Sequence, residues 1–271
     1  MSRDDTPVPA PEPLQVGAVD SHCHLDLLAV SVDEAIEAAR LAGVPRVVTV
    51  GIDVASSRWC AEVAAAHEGV VATVAVHPNE AAESTDLESE LAVIEELAQL
   101  PQVRAVGETG LDFYRTGEAG RPQQEASFRR HIAIAKASGK ALVIHDRDAH
   151  QDILRVLDEV GAPDFVVLHC FSGDADFARE CVARGYVISF AGNVTFKSAQ
   201  PLRDAVAVTP IEQLLVETDA PFLTPVPFRG RHNAPNLIPL TVRAMAEVKG
   251  IAAGDLAGAI SATATRVFGD W

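Results

Sequence analysis

The feature that most constrains this 271-residue chain is a recurrence. Eight short β-like segments stand near residues 16–22, 46–52, 70–77, 103–108, 141–145, 165–169, 186–190 and 213–219. Most are continuous apolar runs such as "ALVIH" and "FVVLH", the pattern of parallel strands buried on both faces. Their ends pass from residue 22 to residue 219 in seven steps, a mean of about 28 residues. Helical patterns separate them. "SVDEAIEAARLAG" offers Ser31 as N-cap, Glu34 three residues on and Gly43 as a stop. "RPQQEASFRRHIAIAKASGK" has Pro122 in its first turn and Gly139 as C-cap. "DLESELAVIEELAQL", "DILRVLDEVG" and "DADFARECVARG" continue the pattern, and stretches near 237–249 and 254–267 close it. Eight βα units at this period predict a TIM (β/α)8 barrel, read as a single α/β domain over residues 16–271. A doubly wound open sheet would require a glycine-rich phosphate loop after the first strand. That strand runs instead into "VDSHCHLD".

Composition narrows the function classes. The longest apolar runs, such as "VVATVAV", are far too short to span a bilayer. Residues 1–15 are polar and proline-rich, which predicts a disordered leader without a secretory signal and a cytoplasmic location. Cys23, Cys60, Cys170 and Cys181 form no CxxC pair, so a thiolate zinc site is not expected. The formal net charge of −16 argues against a general nucleic-acid coat protein. It does not exclude a nucleic-acid enzyme whose bound cations neutralise a carboxylate-rich pocket.

Metal-ligand residue types collect at the carboxyl ends of the predicted strands, which in a barrel converge on one face. His22 and His24 end the first, Glu108 the fourth, His145 the fifth, His169 the sixth and Asp219 the eighth. Taken singly, each also reads as a polar loop residue or a turn cap; the joint pattern points to metal. Imidazole and carboxylate without thiolate suit Zn, Mn, Fe or Co, and the carboxylates admit Mg. Six donors exceed what one catalytic ion with an open position requires. Two ions are therefore expected, with Glu108 as bridge, His22, His24 and Asp219 on one and His145 and His169 on the other. Such a pair, about 4 Å apart, holds a bridging hydroxide and polarises a phosphoryl or carbonyl oxygen. Alternation along the first strand points Cys23 away from both histidines, as a packing residue.

Six blocks then match a known pattern in order: "DSHCHLD" (20–26), "AVHPNE" (75–80), "GETGLDFY" (107–114), "IHDRDA" (144–149), "LHCFSG" (168–173) and "VETDAPFL" (216–223). Together they resemble the TatD-type metal-dependent deoxyribonucleases, of the amidohydrolase-like metallohydrolases, over about residues 16–268. "PVPFRGRHNAP" (225–235) and "VTFKSA" (194–199) are most similar to a bacterial branch of metal-dependent hydrolases. The resemblance implies a divalent-metal-dependent 3′→5′ exonuclease on single-stranded DNA. It also implies that the six donors named above are the metal ligands. "HPNE" departs from the His-Pro-His of many members and removes an optional second histidine.

Candidate catalytic residues are Asp219, Glu108 and His77. Asp219 is read as holding or accepting the proton of the attacking water, or as a ligand without a proton role. His77 is read as a contact to phosphate or leaving group, against a hydrogen-bonder behind the ligands. Asp112 either orients a ligand or Arg147, or is a turn carboxylate; Asp20 and Asp26 read as supporting carboxylates. Arg147, Arg229 and Arg231, with Lys197, are candidate phosphate contacts, against surface salt bridges. Phe113, Tyr114, Phe171 and Phe222 are candidate base-stacking residues, with rim packing as the alternative. Two other functions stay open at this point. One is an ester or amide hydrolase of the wider amidohydrolase group, for example on aminoacyl-tRNA. The other is a non-catalytic binding module, against which the complete ligand set argues.

Overall fold

Runs rich in valine, isoleucine and leucine with no polar face have nowhere to lie except between two covering layers. The computed structural model describes residues 8–270 and places such runs in eight parallel strands. They are β1 (Val19–Cys23), β2 (Arg46–Val50), β3 (Val70–Val74), β4 (Val103–Asp112), β5 (Ala141–Arg147), β6 (Val166–Leu168), β7 (Val187–Phe190) and β8 (Leu214–Val216). All belong to one sheet in the order β1 to β8. The end of β1 also meets the chain after β8: Asp219 N–H donates to the His22 carbonyl (3.0 Å) and His24 N–H to that of Ala220 (3.0 Å). This is the topology of the TIM barrel expected from the sequence.

Ten α-helices alternate with the strands among the described residues: α1 (Val32–Leu41), α2 (Val54–Ala66), α3 (Pro78–Glu83), α4 (Leu87–Leu97), α5 (Arg121–Ser138), α6 (His150–Val160), α7 (Ala175–Ala183), α8 (Gln200–Val208), α9 (Ile238–Lys249) and α10 (Ala253–Phe268). Ser31 and Glu34 cap α1 reciprocally, and Gly139 ends α5 in the left-handed region at φ 63°. The sequence pattern did not single out α2, α3 or α8. α2 is alanine-rich with apolar residues on most sides, so its periodicity is weak. Its start is nonetheless legible in Asp53, which accepts from Ser56 N–H (2.7 Å).

Of the expected leader, residues 1–7 lie outside the described residues. Beyond them, Leu14 is buried and donates to the Ala42 carbonyl (3.0 Å), while Arg243 donates to the Glu12 carbonyl (2.6 Å). The chain divides into two compact units. One runs up to residue 48 and adds 173–266 and 270; the other comprises 49–172 and 267–269. In the first unit Val19, Ile188, Phe190, Leu215 and Val216 of the strands are buried, as are Ile238, Val242, Met245 and Ile260 of the helices. In the second, Val71, Val106, Leu142 and Ile144 of the strands are buried, as are Phe128, Ile132, Ile153 and Leu157 of the helices.

Candidate metal centre

In the first unit, β1 delivers His22 and its exit delivers His24. Asp219 follows β8 at φ 52°, a strained backbone that aspartate tolerates better than most residues. Asp219 Oδ1 lies 3.9 Å from His22 Nε2 and 3.5 Å from His24 Nε2. Two ligands on one ion with bonds near 2.1 Å stand about 3.4 Å apart in tetrahedral geometry. The three side chains therefore suit a divalent cation, and they form one of the groups able to hold a metal. Their spacing is fixed from behind by Asp20. Its carboxylate accepts from Thr218 N–H (2.9 Å), from the Thr218 hydroxyl and from His22 N–H (3.3 Å). Full burial pushes the Asp20 carboxyl up to about 7, against the pull of these donors. Asn233 completes the brace by donating to the carbonyls of Thr218 (2.8 Å) and Phe222 (2.6 Å). Cys23 is buried, in keeping with the packing role read from alternation.

The second unit assembles its group around Glu108. The sequence placed this residue at a strand end; it lies inside β4, which continues to Asp112. Between Val106 and Thr109 the register of β4 with β5 shifts. The flanking glycines permit this. A Cβ on Gly107 would stand 2.5 Å from the Val143 carbonyl oxygen, and one on Gly110 only 2.2 Å from that of His145. Both have positive φ (158° and 136°). The bulge carries the Glu108 side chain to three imidazoles. Glu108 Oε1 lies 2.7 Å from His145 Nδ1, 2.8 Å from His169 Nε2 and 3.4 Å from His77 Nε2. Burial pushes the Glu108 carboxyl up, but His169, His77 and His145 together hold it well below the usual carboxylate range.

His145 faces a second carboxylate, with Nε2 3.2 Å from Asp112 Oδ2. Burial lowers the pKa of this ring, but Asp112 and Glu108 outweigh it and raise the ring above its ordinary value. One nitrogen can thus give its proton to Asp112 while the other serves as ligand, the arrangement common around metal-bound histidine. Asp112 also accepts from Asn79 (3.2 Å), Tyr114 N–H (3.0 Å) and Arg115 N–H (2.8 Å). Although burial works against it, these partners, His145 first, hold Asp112 below the usual range. Asp112 combines the two roles read for it: it faces His145 and it accepts the N–H groups of the turn at Tyr114 and Arg115. Asn79, noted in the sequence only for the histidine it replaces, is part of the same network.

His77 shares the neighbourhood of Glu108 but differs from His145 and His169. Its Nδ1 accepts from Asn79 N–H (3.1 Å), so the proton of the neutral ring sits on Nε2. A ring in that state is a hydrogen-bond donor toward Glu108, although His77, Glu108 and His145 also form one of the groups able to hold a metal. Each of the three candidate arginines lies over an aromatic ring. Arg147 lies over Tyr114, with its guanidinium carbon 3.9 Å from the ring centroid, Arg229 over Phe196 at 4.4 Å and Arg231 over Phe228 at 5.9 Å. Of the four aromatic candidates, Phe171 is buried, Phe113 is half-buried under Arg121, and Tyr114 and Phe222 are exposed.

The chain matches the "TatD related DNase" family over residues 19–269. It belongs to that family. The uncharacterised metal-dependent hydrolase TatD of Mycobacterium tuberculosis is 46% identical over 93% of this chain and 97% of its own length. Uncharacterised metal-dependent hydrolase YcfH of Escherichia coli is 38% identical over 92% of this chain and 95% of its own. The crystal structure of YJJV, a TatD homologue from Escherichia coli, superposes with a TM-score of 0.87 at 26% identity, covering 94% of this chain and 98% of that one. This member of the TatD family is thus a metal-dependent hydrolase with a TIM-barrel fold, and with His, Glu and Asp groups able to bind metal ions. Among the described residues no helix is long and apolar enough to cross a membrane.

Proposed function

We propose that this protein is a divalent-metal-dependent phosphodiesterase of the cytoplasm, a TatD-type deoxyribonuclease that removes nucleotides from the 3′ end of single-stranded DNA. The observation that carries the reading is the cation beside the donors. Among the described residues the Arg147 side chain, two residues beyond His145, has only an aromatic ring as partner, in a chain of net charge −16. An arginine kept from carboxylates at such a place suits a phosphate. The family match to DNases supports the same substrate class.

His22, His24 and Asp219 would hold one divalent ion, Mg, Mn or Zn, and Glu108, His145 and His169 a second. When bound, such ions polarise a phosphoryl oxygen and acidify water at neutral pH. The chain's own residues supply the rest. The Asp219 carboxylate is set to take the proton of the attacking water. His77, with its proton on Nε2, donates to a phosphate or leaving-group oxygen. Asp112 keeps the His145 ring in place. Arg147, the exposed Arg229 and the half-buried Arg231 are each candidate contacts to a backbone phosphate.

The test is stepwise shortening of a 5′-labelled single-stranded oligonucleotide with Mg²⁺, Mn²⁺ or Zn²⁺ supplied in turn. The wild type is expected to cleave only with metal, and Glu108→Ala to lose cleavage. Cleavage that ignores metal, or equal cleavage by Glu108→Ala, overturns the proposal. Faster metal-dependent hydrolysis of an aminoacyl ester would transfer the site to the carbonyl-hydrolase reading.

A further inference from the structure

Tyr114 has a relative exposure of 66%, above that of every other exposed large hydrophobic side chain described. A ring that open to water is ordinarily free to turn; this one is held. The Arg147 guanidinium covers one face at 3.9 Å. Tyr114 N–H donates to Asp112 Oδ1, the partner oxygen of the one that faces His145 Nε2. One buried carboxylate therefore fixes both a candidate metal ligand and the backbone of the tyrosine. The strands reinforce the link, since Asp112 pairs with Arg147 across β4 and β5, and Phe113 N–H donates to the Arg147 carbonyl (2.9 Å).

We propose that Tyr114 is a stacking platform for the nucleobase at the cleaved 3′ end, stiffened from behind by Arg147; this rests on the phosphodiesterase reading above. The geometry divides the labour. A guanidinium stacks through its face and donates hydrogen bonds in its plane, so Arg147 can support the ring while its edge reaches a phosphate. The ring face away from Arg147 is left to a base. Every base has a π-face, so the platform is indifferent to sequence but requires a base that is present and unpaired. The site then selects frayed or single-stranded ends by contact, and stacking of this kind corresponds to about 5- to 150-fold in affinity.

The experiment compares two 5′-labelled single strands, identical except that one ends in an abasic 3′ residue. kcat/KM is measured with metal, and binding is measured separately by fluorescence anisotropy with chelator-treated protein. Wild type is expected to favour the base-bearing end by about 5- to 150-fold in both readouts. Tyr114→Ala should bring that ratio close to unity, and Tyr114→Phe should keep it. Arg147→Lys, which retains charge but not the planar support, should give an intermediate ratio. Absence of a preference in wild type, or a Tyr114→Ala variant weakened equally on both strands with its ratio intact, overturns the proposal. Failure of the phosphodiesterase reading looks different: neither strand is cut with any metal, while the Tyr114-dependent binding ratio persists.

Discussion

His131, buried on α5, gives the most direct quantitative check of the fold behind the site. Its Nδ1–H donates to the Ser127 carbonyl (2.8 Å), and its Nε2 accepts from Val76 N–H (3.1 Å), one residue before His77. Both nitrogens are committed in the neutral ring, and protonation would turn the Nε2 acceptor into a donor aimed at another donor. Burial accordingly pushes its pKa from 6.5 down to about 4, the Ser127 hydrogen bond opposing and Arg130 adding slightly. In the window between these values the unfolded chain binds a proton that the folded chain refuses. Stability from this residue is therefore complete above about pH 6.5 and falls as the pH drops toward about 4. At about 1.4 kcal/mol per pH unit the loss is about 3 kcal/mol over the window. Asp20, with its pKa raised, acts in the opposite direction and cancels in a comparison of two proteins that both retain it. The measurement is urea unfolding of wild type and His131→Gln across about pH 7 to about 4. Glutamine keeps an acceptor for Val76 and cannot ionise, so wild type should lose about 3 kcal/mol more than the variant over this range. Parallel pH profiles, or a wild type that gains on the variant toward acid, would refute the reasoning.

Other expectations follow from the same contacts. Asp112→Asn keeps an oxygen for the Tyr114 and Arg115 N–H groups but removes the carboxylate from His145 and Asn79. Affinity for one of the two metal equivalents should fall about 10- to 100-fold in calorimetric titration, and unchanged affinity for both would contradict an orienting role. Chelation should abolish hydrolysis, and re-addition of metal at about 100 times its Kd should stabilise the fold by about 3 kcal/mol in thermal or urea unfolding. Unfolding curves that do not move with metal would count against metal binding by these donors. Gly110→Ala must fit a Cβ that would stand 2.2 Å from the His145 carbonyl oxygen, at a φ of 136°. A destabilisation of about 2 kcal/mol or more is expected in denaturant unfolding, and a neutral result would refute the close approach of β4 and β5.

The sequence by itself determined the barrel. The eight apolar runs, spaced for a strand and a helix each, left parallel pairing with both faces covered as the economical way to bury them. The same reading placed His22, His24, Glu108, His145, His169 and Asp219 at strand ends, because residue type and strand position are both local properties. It could not see what depends on contacts between distant residues. That Glu108 sits within a bulge of β4 follows from the close backbone of β5. That Asp112 holds both His145 and Tyr114 needs strands 33 residues apart in sequence to pair. Asp20 becomes a brace only because Thr218, 198 residues away, is folded onto it. Tertiary structure decided these points because hydrogen bonds and ring stacking are directional and short-ranged, whereas the hydrophobic periodicity that specified the fold is neither.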